Sequence, residues 1–311
     1  KTYNLCETVA AAVREGLDPA RIMATTFTKK AASELKARIQ AKLLNGSDDC
    51  AANQLAADRL ELAAIGTVHG VAHRVLSRYA VELGLSTRLE VMPEEAAERL
   101  VAAQLNVLPM DRWQQLVACA QRLGIDDLQQ QLLNVLDAKR CNQISDDSFR
   151  QQMQASATRV CELLSPLPKL LGVEHAEFLG LIRSSLRTLK DLNDSTKVTK
   201  TARLKLGDLN SERISKWGMY AEASRLSAGK KSGADAALKD LRNHASEVCN
   251  HQMLHDDIIQ FSDLLAEHAI LIETECQNHK IQRGLVDFTD LETLFLTALS
   301  GEQLPSLIEK D

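Results

Sequence analysis

Apolar positions follow a local rhythm that appears twice in the first quarter of the chain. Ile22, Met23 and Ala24 form a run too short for a helix, and directly after it Ala31, Ala32, Leu35 and Ile39 recur at the spacing of one helical face. The pattern predicts a strand, a tight turn at Thr26-Phe27-Thr28, and a helix. It returns between Leu62 and Leu76, where an apolar run breaks at Gly66-Thr67 and enters a helix carrying Val71, Val75 and Leu76. Ahead of both, Leu5, Val9, Ala12 and Val13 make a helical stripe ended by Gly16, and Leu17-Asp18-Pro19 leads back to Ile22. Helix, short loop and buried strand are the parts of a βαβ unit whose first strand is missing from the sequence.

The polar run from Asn45 to Ala51 predicts a break, and a further helix is expected over Asn53–Leu60. Beyond Leu85 nearly two hundred residues read as helices, punctuated by Pro93, Pro109, Gly124 and the pair Pro166 and Pro168, with no strand alternation and no fixed repeat. Asp257 to Gln277 predicts one long helix, with Ile258, Phe261, Leu264, Leu265, Ala269 and Ile272 on its buried side. In the segment that follows, GLVDFTDLETLFLTAL, either Asp287 or Thr289 is expected to cap a helix, and Phe288 to be a buried anchor.

Composition agrees with a largely helical protein. Hydrophobic residues make up 45% and charged residues 25% of 311, with few aromatics, glycines and prolines, which disfavours a sandwich or barrel. The length suggests roughly two domains. A formal net charge of −5 excludes a uniformly basic nucleic-acid coat, so any such binding must come from local patches. Seven scattered cysteines without a CxxC pair fit reduced thiols and a cytoplasmic location. No signal-like N-terminus and no apolar run near the roughly 18 residues of a membrane span is seen, so no membrane partner is expected.

A turn at the carboxyl end of a parallel strand, opening onto a helix N-terminus, presents unpaired backbone N–H groups suited to phosphate oxygens. Around the first turn, Thr26 and Thr28 add hydroxyls, Lys29 and Lys30 add charge, and Phe27 adds an aromatic face, a mixture that fits a nucleic-acid strand. The alternative is a plain helix start, with Thr28 as cap and Phe27 packed in the core.

At this point the residues meet a family. TTFTKKAASELKAR, from Thr25 to Arg38, resembles motif Ia of the UvrD/Rep/PcrA-type superfamily 1 DNA helicases. IGTVHG resembles the family's turn lining the single-stranded DNA groove, with Thr67 and His69 in the matching places; taken alone, a histidine at position 69 is more often a helix cap or a core residue than a ligand-binding one. Gly70 stands where Ser is commoner, as in the RecB-like and AddA-like branch. VDFTDL, from Val286 to Leu291, resembles the family's DF-x-DL segment ahead of the Asp-Glu box. Lys1 and Thr2 fall where the phosphate loop would end, so the resemblance assigns them to nucleotide phosphates and magnesium.

The resemblance implies an α/β fold: a partial P-loop (RecA-like) parallel-sheet domain interrupted by a large all-α insertion, mostly helical overall. Residues 1–85 would begin motor domain 1A, 86–283 would form the 1B insertion, and 284–311 would return to 1A. It implies a fragment of an ATP-dependent DNA helicase or translocase, using ATP and Mg2+, acting on single-stranded and duplex DNA in repair or recombination, with a nuclease or partner helicase subunit possible. The single-strand contacts would be Thr26, Phe27, Thr28, Lys29, Lys30, Thr67 and His69. The fragment holds no catalytic residue of its own, since the phosphate-loop glycines, the paired acids and the second RecA-like domain are absent, so little hydrolysis is expected from it alone.

One stretch is basic: Arg187 to Lys231 holds eleven Lys or Arg against five Asp or Glu. Lys197, Lys200, Arg203, Lys205, Lys216, Trp217, Lys230 and Lys231 are the candidate duplex contacts, compatible with the place of 1B in the family; a lysine-bearing flexible loop at Gly229–Gly233 is the alternative. Cys249, His251 and His255 lack a matched fourth ligand, and no metal site of the protein's own is expected. The competing functional class is a non-catalytic helical DNA-binding or scaffold module that keeps motor motifs only as fold elements.

Overall fold

The computed structural model describes residues 2–45, 50–104, 109–165, 175–192, 194–211 and 216–310. Two compact units result, one of residues up to Ala102 together with those from Cys276 onward, the other of residues 103–275. The architecture is mostly helical, with two small parallel sheets.

In chain order, α1 (Thr2–Arg14) leads to β1 (Met23–Thr26), α2 (Lys29–Leu44), α3 (Cys50–Arg59), β2 (Ala64–Thr67) and α4 (Val68–Arg78). β3 (Glu90–Val91) and α5 (Glu94–Gln104) follow. Then come α6 (Met110–Leu123), α7 (Leu128–Cys141), α8 (Asp146–Leu164), α9 (His175–Asp191), α10 (Lys197–Asn210), α11 (Lys216–Ser224), α12 (Lys239–Ser246) and the 32-residue α13 (Gln252–Arg283). β4 (Leu285–Val286), α14 (Phe288–Ser300) and α15 (Gln303–Lys310) complete the chain.

The first unit is built on β1 and β2, which pair in parallel with Met23 opposite Ala64 and Thr26 opposite Thr67. Cys6, Ala10 and Val13 of α1 pack with Leu35, Ile39 and Leu43 of α2 around Ile22 and Leu60. Of the α1 stripe expected at Leu5, Val9, Ala12 and Val13, Val13 is buried and Leu5 is exposed, because the inward face of α1 is turned towards Cys6 and Ala10. Burying such side chains yields roughly 2 kcal/mol each, which holds a two-stranded sheet that could not stand alone. Arg74 of α4 donates to the carbonyls of Ala63 at 2.7 Å and Leu62 at 2.8 Å, fixing the entry into β2.

β3 corrects the expectation of no strand between 86 and 283. It pairs in parallel with β4, Glu90 opposite Leu285 and Val91 opposite Val286. A two-residue strand has too few positions to show alternation, so the pattern could not reveal it. Gly284 makes the pairing possible: its φ is +67°, and a Cβ there would lie 2.7 Å from the Arg88 carbonyl oxygen.

The second unit is all-helical among the described residues. One core of this unit gathers Phe178, Ile182 and Leu189 of α9, Leu206 and Leu209 of α10, Met219 and Tyr220 of α11, and Leu241 of α12. Phe178 stacks flat on Tyr220 with ring centroids 3.8 Å apart. No helix of the described residues is long and apolar enough to cross a membrane.

Candidate nucleic-acid interface

The parallel register of β1 and β2 brings two strand ends level, and each runs straight into a helix start. Thr28 caps α2, its hydroxyl accepting from the Ala31 N–H at 3.1 Å; Thr67 caps α4, accepting from the Gly70 N–H at 3.1 Å. Two helix N-termini therefore open side by side on the carboxyl edge of one sheet, where the remaining N–H groups and the positive ends of the helix dipoles favour an anion. A Cβ at Gly70 would lie 3.0 Å from the capping Thr67 oxygen.

Phe27 is 96% exposed, so it does not pack in the core. Leaving a phenyl ring in water forgoes roughly 2 kcal/mol of burial. The Thr26 hydroxyl donates to the Thr28 carbonyl at 3.0 Å and holds the turn that projects the ring. Lys29 and Lys30 are exposed beside it. Lys29, Ser33, Thr67, Gly70 and Arg74 line a shallow groove between the two helix starts.

His69 neither caps α4, a role Thr67 fills, nor enters the core. Its Nε2 lies 2.9 Å from Glu292 Oε1, and its ring sits 4.8 Å from that of Phe288 at a tilt of 54°. Both partners come from α14, and sequence reasoning missed them at this site. Phe288 was expected as a buried anchor; it is 45% exposed, because Leu291 and not Phe288 occupies the inward face of α14. The usable signal was the i, i+4 spacing of Phe288 and Glu292, which places them on one face of a helix.

The start of α14 is itself held tightly. Asp287 accepts from the Asp290 N–H and Asp290 from the Asp287 N–H, both at 2.9 Å, a reciprocal capping box. Lys280, only 2% exposed, reaches Asp287 at 3.0 Å and Asp290 at 2.6 Å, and Gln277 donates to Asp290 at 2.8 Å. Of the two candidate caps, Asp287 is the one used.

The sequence matches the UvrD/REP helicase N-terminal domain over residues 1–310. The chain belongs to that family. It is 31% identical over 104 residues to an ATP-dependent helicase/nuclease subunit of Streptococcus pyogenes serotype M12 (strain MGAS2096), a match covering 32% of this chain and 8% of that protein. The same protein of serotype M5 (strain Manfredo) is 31% identical over 104 residues, with 32% of this chain and 9% of the relative covered. The matched stretch thus spans less than a tenth of the length of these relatives.

Of the residues the family resemblance assigns to nucleotide, Lys1 lies outside the described residues, and so does the side chain of Thr2.

In the helical unit the basic stretch separates into two kinds of residue. Trp217 is a correction: it is 6% exposed and its indole N–H donates to Asp257 at 2.7 Å, so the ring belongs to the core, where an indole needs a partner for its polar edge. Arg203 is turned inward onto the carbonyls of Leu189 at 2.8 Å and Leu192 at 2.7 Å. Lys205 pairs with Glu222 at 3.0 Å. Lys216 lies over the Trp217 ring at 4.5 Å, and burial pulls its ammonium below the ordinary lysine range. Lys197, Lys200, Lys230 and Lys231 remain exposed.

The Gly229–Gly233 segment is not the flexible loop its composition suggested. Asp194 accepts from the Ser232 hydroxyl at 2.6 Å, the Thr199 hydroxyl at 2.7 Å and the Thr196 N–H at 2.9 Å, and the Gly229 N–H donates to Thr199 at 2.9 Å. Asp235 closes the other end, paired with Arg242 at 2.7 Å and accepting from the Ala228 N–H at 3.1 Å. His255 donates to the Cys249 carbonyl at 2.8 Å, and no group of three metal-ligating side chains forms among the described residues.

Proposed function

We propose that the chain holds part of domain 1A of a superfamily 1A motor, interrupted in sequence by a helical 1B insertion, and that the β1–α2 and β2–α4 turns are part of its single-stranded DNA groove. On this reading residues 1–85 and 284–311 are motor and 86–283 are insertion, whereas the compact units divide the chain at Ala102 and Cys276. The parent would be an ATP-dependent DNA helicase acting in repair or recombination in the cytoplasm. The helicase/nuclease proteins found as its relatives favour a parent with a nuclease activity and a partner subunit.

The observation that carries the reading is Phe27, held almost wholly in water beside two capped helix starts and two lysines. Aromatic faces stack on bases while N–H groups and cations hold the backbone. Phe288 and His69 extend the same kind of surface along the second turn. Thr26, Thr28 and Thr67 shape the turns through their hydroxyls. Lys197, Lys200, Lys230 and Lys231, on a pinned loop and helix, are the residues we assign to duplex DNA.

The test is fluorescence-anisotropy binding of labelled single-stranded and duplex DNA to the 311-residue chain across a salt series. Phe27→Ala is expected to weaken single-strand binding by about 1–3 kcal/mol, on the order of tenfold or more, with little change in salt slope. Neutralising Lys197, Lys200, Lys230 and Lys231 is expected to reduce duplex binding and flatten its slope. Single-strand binding unaffected by Phe27→Ala at every salt concentration would sink the groove reading.

ATP with Mg2+ is the cofactor pair this function implies, with Lys1 and Thr2 assigned to them by the family resemblance. Bound nucleotide supplies the free energy of phosphoryl transfer to the motor. No GxxxxGK[ST] sequence occurs among the 311 residues, so we expect them to hydrolyse ATP negligibly on their own. Steady, DNA-stimulated phosphate release by the purified chain would contradict this.

A further inference from the structure

Glu292 puts a carboxylate at a surface read as binding a polyanion, and the reason lies in what it touches. A carboxylate only accepts, so His69 Nε2 carries a proton and donates to Glu292 across 2.9 Å. In the neutral ring that leaves Nδ1 as an acceptor; in the imidazolium both nitrogens donate. A phosphate oxygen also only accepts. An imidazole that bridges Glu292 and a phosphate must therefore be the imidazolium, its charge lying between two anions.

The surroundings permit this. Among the described residues no protein group bonds His69 Nδ1. Phe288 packs on one side of the ring, and its position is set by the capping box that begins α14. The other charged or titratable groups nearby are already engaged or lie across the groove. Asp287 and Asp290 are buried against Lys280; His73 bonds the Leu89 carbonyl at 2.9 Å; Arg74 is turned onto carbonyls; Lys29 is exposed on α2.

Resting on the reading of this groove as a single-strand surface, we propose that Glu292 is a positioning residue for it. Glu292 fixes the ring of His69 so that the imidazolium donates Nδ1–H to a backbone phosphate. Binding at this point then takes up a proton, which a surface of lysines and a phenyl ring does not require. The residue's role is to orient and charge its neighbour, and it need not touch the strand.

The experiment uses the 311-residue chain and a labelled oligothymidylate, with anisotropy titrations from about pH 8 to about pH 6 at constant ionic strength. For the wild type, affinity is expected to rise about tenfold as the pH falls. Glu292→Ala is expected to weaken binding about fivefold at the acidic end and to flatten the profile. Glu292→Gln keeps an acceptor for Nε2–H but removes the charge. It is expected to bind like the wild type near pH 8 and to move the rise to lower pH. His69→Ala is expected to reproduce the Glu292→Ala loss, and the double variant to lose no more than either single one.

Phe27→Ala run alongside separates the two ideas. If it weakens binding while Glu292→Ala matches or exceeds the wild type at every pH, the groove stands and the positioning role is overturned; tighter binding would mean that the carboxylate merely repels the strand. If neither Phe27→Ala nor Glu292→Ala changes binding, the groove reading is lost and the proposal with it.

Discussion

Lys280→Met is expected to destabilise the first unit by about 3–5 kcal/mol, the cost of leaving buried carboxylates without their cation. Lys280 is almost wholly buried between Asp287 and Asp290, and those two side chains also satisfy the first N–H groups of α14. Removing the ammonium leaves negative charge out of water while the capping bonds still demand that it stay. The lost free energy is expected as a lower urea midpoint by circular dichroism and faster amide exchange along α14. Asp290→Asn in the same background should recover part of it, because an amide oxygen still accepts from the Asp287 N–H without the charge. An unchanged midpoint with protected α14 amides would show that the cluster does not hold this helix. The functional consequence is local: α14 carries Phe288 and Glu292, so its loosening should also cost single-strand affinity.

Gly229→Ala should disrupt the second unit in a comparable way. A Cβ at this position would lie 2.1 Å from Asp194 Oδ2 and 2.9 Å from the Ser232 hydroxyl, closer than atoms approach without displacement. Overpacking of this kind costs typically about 1–3 kcal/mol, and here the atom displaced also ties the start of α10 to the loop bearing Lys230 and Lys231. The same contact makes the unit acid-sensitive. The Ser232 and Thr199 hydroxyls and the Thr196 N–H hold Asp194 well below the usual carboxylate range, and Arg242 with the Ala228 N–H holds Asp235 down to about 2. In the unfolded chain both return to about 4, so their contribution is complete above that pH and is lost as pH falls towards 2. Denaturation midpoints measured at pH 5 and pH 3 should separate for the wild type and separate less for Asp235→Asn. Identical midpoints for Gly229→Ala and wild type would remove the pinned loop from the account of this surface.

Much of the interface is local and was legible for that reason. A strand, a Thr-capped turn and a helix are set by residues within a few positions of one another, so Ile22–Ile39 and Leu62–Leu76 declared their structure through spacing and capping chemistry. Pairing was less legible. β3 and β4 are two residues each and lie far apart in the chain, and only the close approach allowed by Gly284 brings them together. The basic stretch illustrates the opposite error. Its composition counted Trp217 and Arg203 with the exposed lysines, although one fills the core beside Asp257 and the other caps backbone carbonyls.

By itself the sequence determined the order of the elements, the two capped turns and the family to which they belong, because periodicity, caps and motif spacing are properties of neighbouring residues. Tertiary structure alone decided which side chains those turns present and what stands beside them. Phe27 lies in water, Phe288 is turned out against His69, and Glu292 reaches that same ring from more than two hundred residues along the chain. Such contacts arise where helices pack, and packing joins residues whose separation in sequence carries no local signal.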